Sequence, residues 1–125
     1  MIDFSKFKAE GNAPIYQQIR LFVKRGIVSG IIKDGDELPS RRALSVLLGI
    51  NPNTAQKAFS LLEEEGLISS SHGVASVVTL DEEKTERVRS ELIASDIIGA
   101  ASAFKQSGLS LEQAIALMAH YWEEA

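Results

Sequence analysis

The chain has 125 residues, 13 Lys/Arg against 17 Asp/Glu, a net charge of −4, 45% hydrophobic residues and no cysteine. That length fits one compact domain with an extension, and the apolar fraction excludes wholesale disorder. The absence of cysteine excludes a disulfide framework and thiolate metal sites, and no apolar run approaches the roughly 18 residues that span a bilayer.

Met1-Ile2-Asp3-Phe4 shows no basic stretch followed by an apolar run, so no secretory signal is read and a cytoplasmic protein is expected. Charge is divided unevenly. Residues 1–80 carry nine Lys/Arg and eight Asp/Glu, and residues 81–125 carry four and nine. The acidity sits in the C-terminal part, which leaves the N-terminal part free to display a basic face.

In chain order, residues 1–11 read as an extended arm ending at Gly11. Asn12-Ala13-Pro14 opens a first helix, with Pro14 in its first turn. Ile15, Ile19, Phe22, Val23 and Ile27 recur at helical spacing as a core stripe, and Gly30 to Asp36 stops the helix. Ser40 caps a second helix with Leu44, Leu47 and Leu48 as its buried face and Gly49 at its end. Asn51 caps a third, Pro52 takes its first position, and Ala55, Ala58, Phe59 and Leu62 face inward up to Gly66. Leu67-Ile68-Ser69 and Val77-Val78-Thr79 predict two short strands of a β-hairpin.

Asp81-Glu82-Glu83 starts a fourth helix, with acidic residues favourable to its dipole. It runs to about Lys105 with Val88, Leu92, Ile93, Ile97, Ala101 and Phe104 on its apolar side, and Gly108 breaks it. Ser110-Leu111-Glu112-Gln113 is a capping box for a last helix. Leu111, Ile115, Met118 and Trp122 line one of its stripes, with Ala114, Leu117 and Tyr121 on the next. The fold class is therefore mostly α with a small β-hairpin: a winged helix-turn-helix over residues 1–80, then a two-helix tail over residues 81–125.

Asn53, Gln56, Lys57 and Ser60 share the face of the third helix opposite its apolar stripe, with Thr54 beside them. The first turns of a recognition helix meet base edges. Asn and Gln bond adenine bidentately, and Lys bonds guanine or phosphate. Arg41 and Arg42, in the first turn of the preceding helix, suit phosphate or guanine contacts, and the capping residues Ser40 and Asn51 complete the candidate DNA-binding set. Each of these residues alone is equally a solvated position on an amphipathic helix. Together, on two successive capped helices before a hairpin, they favour double-stranded DNA as the partner.

Rival functions have weaker signals. His72 and His120 are the only histidines, and no Gly-x-x-x-x-Gly-Lys phosphate loop is present. Ser5-Lys6-Phe7-Lys8 fits a Ser-x-x-Lys string without companion motifs, and Asp34-Gly35-Asp36-Glu37 lacks the ligand spacing of a calcium loop. No enzyme, metal or cofactor is expected. Aromatics at 6% supply no stacking platform for RNA. The alternative is a protein-interaction module on the same scaffold without DNA binding, which would give Asn53, Gln56 and Lys57 no purpose.

A tail of about 45 residues is too short for a core of its own. Its apolar faces need either the winged domain of the same chain or the same tail on a second chain about a two-fold axis. The homodimer would set two recognition helices on half-sites of a near-palindromic operator. Its candidate interface is Leu92, Ile93, Ile97, Ala101, Phe104, Leu111, Ile115, Met118 and Trp122. The tail is too short to enclose a drug-sized pocket of ~300 Å³, and the sequence names no small-molecule effector.

Three runs of residues also carry a family pattern: Pro14-Ile15-Tyr16-Gln17-Gln18-Ile19, Gly35-Asp36-Glu37-Leu38-Pro39-Ser40-Arg41-Arg42-Ala43-Leu44, and Leu48-Gly49-Ile50-Asn51-Pro52-Asn53-Thr54. Lys57-Ala58-Phe59 and Leu62-Glu63-Glu64-Glu65-Gly66-Leu67-Ile68 continue it. Over about residues 12–78 the chain resembles the GntR family of bacterial transcription regulators, and the Asn-Pro-Asn-Thr run and short tail resemble its YtrA-type subgroup. The resemblance implies that Arg42 matches the DNA-contacting arginine of a Leu-Pro-Ser-x-Arg motif, with Arg41 at the variable position. It implies that Thr54 and the exposed face of the third helix contact bases and phosphates. Gly73 matches the wing-tip glycine near the minor groove, preceded by His72, for which an uninvolved loop histidine is the alternative. The family's Gly-x-Gly-Thr-Phe-Val reads here as Gly73-Val74-Ala75-Ser76-Val77-Val78, with Ala75 in place of the second glycine. The resemblance further implies a dimerising tail and a repressor that occupies an operator and excludes polymerase.

Overall fold

The order of elements is α1 (Ile15–Ser29), α2 (Arg41–Leu48), α3 (Pro52–Glu64), β1 (Ile68–Ser69), β2 (Val77–Val78), α4 (Glu82–Gln106) and α5 (Leu111–Tyr121), closed by a 3-10 turn at Trp122–Glu124. The computed structural model describes residues 1–70 and 75–125. His72 and Gly73 lie outside the described residues. Two compact units are formed, Met1–Arg89 and Ser90–Ala125.

Side chains and glycines set the ends of the helix-turn-helix. Ser40 Oγ accepts the Ala43 N–H at 3.0 Å and Asn51 Oδ1 accepts the Asn53 N–H at 2.8 Å, so each helix starts on a capped amide. Pro52 opens α3 without wasting a donor. At the other ends Gly49 and Gly66 adopt φ of 64° and 75°. The N–H of Ile50 then reaches the carbonyl of Ser45, and that of Leu67 the carbonyl of Leu62, both at 3.0 Å. Only Gly49, Ile50 and Asn51 separate α2 from α3.

Ile19, Val23 and Ile27 of α1, Leu44 of α2, and Ala55, Ala58, Phe59 and Leu62 of α3 meet in one core with Leu38, Leu67, Val78 and Val88. Each large side chain there stabilises the fold by about 1.5–3 kcal/mol. Two expectations are corrected. Leu47 is 60% exposed, and Ser45 is buried beside Leu44, donating its hydroxyl to the Arg42 carbonyl at 2.9 Å. At about 100° per residue, Arg41, Leu44, Ser45 and Leu48 share one arc and Leu47 falls outside it. The expected N-terminal arm is also part of the core. Ile2 donates its N–H to Glu37 at 2.7 Å, and Phe4 is buried with its ring centroid 5.2 Å from that of Phe22.

The hairpin is antiparallel, with Ile68 opposite Val78 and Ser69 opposite Val77. The segment before α2 lies along its other edge. Glu37 bridges Val77, Val78 donates to Asp36 at 2.8 Å, and Leu38 donates to Ser76 at 3.0 Å. The carboxylates of Asp34 and Asp36 accept the backbone N–H groups of Leu80 and Lys33, both at 2.8 Å, which accounts for that acidic turn.

Cations hold the C-terminal end of α3. Glu65 accepts from Arg20 Nε at 2.9 Å and pairs with the buried Lys24. Arg87 donates to the Glu65 carbonyl at 2.8 Å and Lys84 to the Gly66 carbonyl at 2.7 Å. This is where a helix dipole favours positive charge.

The second unit keeps less of its apolar surface from water. Ser110 and Gln113 form the expected capping box. Ile93, Ile97, Leu111, Ile115, Met118 and Trp122 are exposed, as is Ala101; Phe104 is half-buried and Leu92 is buried. Trp122, expected on a stripe of the last helix, falls instead in the 3-10 turn, one residue past the end of α5. Among the described residues no helix is long and apolar enough to cross a membrane.

Burial pushes the Glu65 carboxyl up, but hydrogen bonds from Arg20 and Lys24, with their charges, outweigh it and hold the group below its ordinary value of 4.5. A depressed carboxyl stabilises the fold above that ordinary value and loses the contribution as pH falls through the folded value. Glu65→Gln is expected to reduce stability at neutral pH by about 1–3 kcal/mol. In chemical denaturation, the difference from wild type should shrink on acidification below pH 4.5; equal stability at neutral pH would contradict the clamp.

Candidate nucleic-acid interface

With Ala55, Ala58, Phe59 and Leu62 turned inward, the opposite side of α3 is left to solvent. Asn53, Gln56 and Lys57 are exposed there, with Thr54 and Ser60 half-buried at its margin. Gln56 Nε2 donates to Ser60 Oγ at 3.1 Å. That bond orients the amide while leaving its oxygen and its second N–H for an outside partner. The Lys57 ammonium sits 4.1 Å from the ring centroid of Tyr16, in the first turn of α1.

The start of α2 adds two arginines with different surroundings. Arg42 is exposed, and among the described residues its side chain has no partner. Arg41 is half-buried, with its guanidinium carbon 4.9 Å from the centroid of Phe59 and Nη2 3.3 Å from Glu63 Oε1. Its Nε is buried without a hydrogen-bond partner. Ser40 and Asn51, engaged as caps, retain a hydroxyl proton and an amide group for further donation.

The helix starts differ in charge. Neither α2 nor α3 carries an acidic residue in its first turn, whereas α4 has Glu82 and Glu83 and α5 has Glu112. The first two keep the bare positive end of their dipoles, and α2 adds Arg41 and Arg42 to it. That arrangement is unfavourable for an isolated helix and favourable next to an anion.

The structure thus gathers Ser40, Arg42, Asn51, Asn53, Thr54, Gln56 and Lys57 on the helix-turn-helix. It draws Arg41 inward, and it adds Tyr16, from the run of residues 14–19, beneath Lys57. Its partner Lys57 lies far along the chain, so no local spacing reveals the pair. His120 meets the Tyr121 ring edge-on at 4.7 Å and remains exposed. Among the described residues no cluster of His, Asp or Glu could hold a metal.

Residues 15–78 match the family model for bacterial regulatory proteins, gntR family. The HTH-type transcriptional repressor YtrA of Bacillus subtilis (strain 168) is 38% identical over 87 residues, covering 65% of this chain and 67% of YtrA. A GntR family transcriptional regulator from Listeria monocytogenes has a similar structure, with a TM-score of 0.78 and 29% identity over 90% of this chain and 98% of that one. The DNA-binding domain of AraR, solved in complex with operator ORE1, aligns with a TM-score of 0.51 and 26% identity, covering 58% of this chain and 88% of the other.

Asn51 supplies both the turn and the start of α3, so Asn51→Ala is expected to lower folding stability by about 1 kcal/mol. A denaturation midpoint equal to wild type would show that the cap contributes nothing.

Proposed function

The chain belongs to the GntR family of bacterial regulatory proteins, is YtrA-like, and is a transcriptional regulator with a helix-turn-helix DNA-binding domain; from that premise we propose that it is a homodimeric repressor of a near-palindromic operator. The exposed amide and lysine side of α3 carries this reading. Asn53, Gln56 and Lys57 meet base edges in the major groove, Thr54 lies at the groove margin, and Arg42 neutralises a phosphate. Ser40 and Asn51, at the helix starts, face the backbone. A protein-interaction module would leave that side without a use.

The dimer reading is supported by Ile93, Ile97, Leu111, Ile115, Met118 and Trp122, all exposed in the second unit. Apolar area held in water is unfavourable by about 25 cal/mol per Å². A second copy of residues 81–125 removes it by the same patch on both chains, and two reading domains, each residues 1–80, then address two half-sites. Leu92, already buried, is not part of the face offered to the partner. Bound in the cytoplasm, such a dimer excludes polymerase from the operator; the related YtrA of Bacillus subtilis, itself a transcriptional repressor, supports this reading.

Arg42→Ala is expected to weaken DNA binding and to reduce the slope of log affinity against log salt by about 1. An unchanged slope and affinity in a binding titration would remove Arg42 from the interface. The dimer is tested in the full-length protein: wild type should sediment as a dimer, and the double substitution Ile97→Asp with Ile115→Asp as a monomer. A monomeric wild type, or a variant still dimeric, would refute the tail interface.

A further inference from the structure

We infer that the adjacent arginines of α2 have different tasks: Arg42 faces the nucleic acid, and Arg41 is a positioning residue that ties the helix-turn-helix to the base of the hairpin. The inference rests on the DNA-binding reading above. Arg41 stacks over Phe59, a fully buried residue of α3, and its Nη2 lies 3.3 Å from Glu63 Oε1 near the end of that helix. The same carboxylate oxygen accepts the Ser70 hydroxyl at 2.5 Å, just past β1. Ser70 Oγ is in turn 2.6 Å from Ser76 Oγ, just before β2.

Proton counting gives this chain a direction. A hydroxyl carries one proton. Ser70 donates its proton to Glu63, so Ser76 donates to Ser70. Ser76 is buried, and its carbonyl accepts the Leu38 N–H at 3.0 Å. A continuous run of contacts therefore joins the start of α2, the end of α3 and both strands of the hairpin. Arginine suits the first link because a planar guanidinium stacks on a ring and donates from its edge at once, which lysine does not. The Arg41 charge is balanced by Glu63, so it supplies no surplus cation to a phosphate.

The test compares Arg41→Ala, Arg42→Ala and Glu63→Gln in the full chain, on a duplex recovered by selection from random-sequence DNA with the wild-type protein. Arg42→Ala should lower the salt slope by about 1. Arg41→Ala should leave the slope unchanged while weakening binding about tenfold. Glu63→Gln should also weaken binding, although it removes a negative charge. A slope lowered in Arg41→Ala as in Arg42→Ala, or tighter binding by Glu63→Gln, would overturn the assignment and make Arg41 a direct contact. Denaturation of the free protein keeps the test independent of DNA: the effects of Arg41→Ala and Glu63→Ala on the unfolding constant should not multiply in the double variant. Independent effects would break the tether even if wild type preferred no duplex, a result that would separately end the DNA-binding reading.

Discussion

Helix α3 is anchored at its C-terminal end. Arg20 and Lys24 from α1 take the Glu65 carboxylate, while Lys84 and Arg87 from the start of α4 take the last carbonyls of the α3 turn. The inward stripe of Ala55, Ala58, Phe59 and Leu62 fixes the rotation of α3 about its axis. The cationic clamp fixes the position of its C-terminal end. With both set, the side bearing Asn53, Gln56 and Lys57 has one direction to face, and its amide-capped start projects without an acidic residue to mask it.

The same arrangement explains how an acidic protein presents a face for an anionic partner. Glu63, Glu64 and Glu65 follow the polar face directly in sequence. Glu63 is neutralised by Arg41, and Glu65 by Arg20 and Lys24. Much of the acidity near α3 is thus cancelled inside the first unit, while Arg42 and Lys57 stay at the surface. The remaining excess of acid falls in residues 81–125. Where charge is displayed outweighs its total.

Local chemistry was readable in the residues themselves. Ser40, Gly49, Asn51, Pro52 and Gly66 bracket α2 and α3 by side-chain caps and positive φ, and these depend on nearest neighbours only. The inward face of α3 followed from helical spacing because thirteen residues give several turns to average over. In α2, with eight residues, one misassigned position was enough to turn Leu47 inward on paper and leave Ser45 out. The N-terminal segment was missed for a different reason: Ile2 is held by a backbone hydrogen bond to Glu37 and Phe4 packs against the Phe22 ring, partners distant in sequence. The candidate site divides the same way. Its exposed polar face was legible, whereas the inward pull on Arg41 and the Tyr16 ring beneath Lys57 depend on how α1, α2 and α3 pack.

The central claim is that the amide and lysine side of α3 enters a major groove. Methylation interference on a duplex selected by the wild-type protein tests it directly, because dimethyl sulfate marks guanine N7 in the major groove and adenine N3 in the minor groove. The account predicts two blocks of guanine N7 interference, centred about one helical turn apart. On a selected duplex with guanines in both half-sites, interference confined to adenine N3, or absent at every guanine, would contradict it.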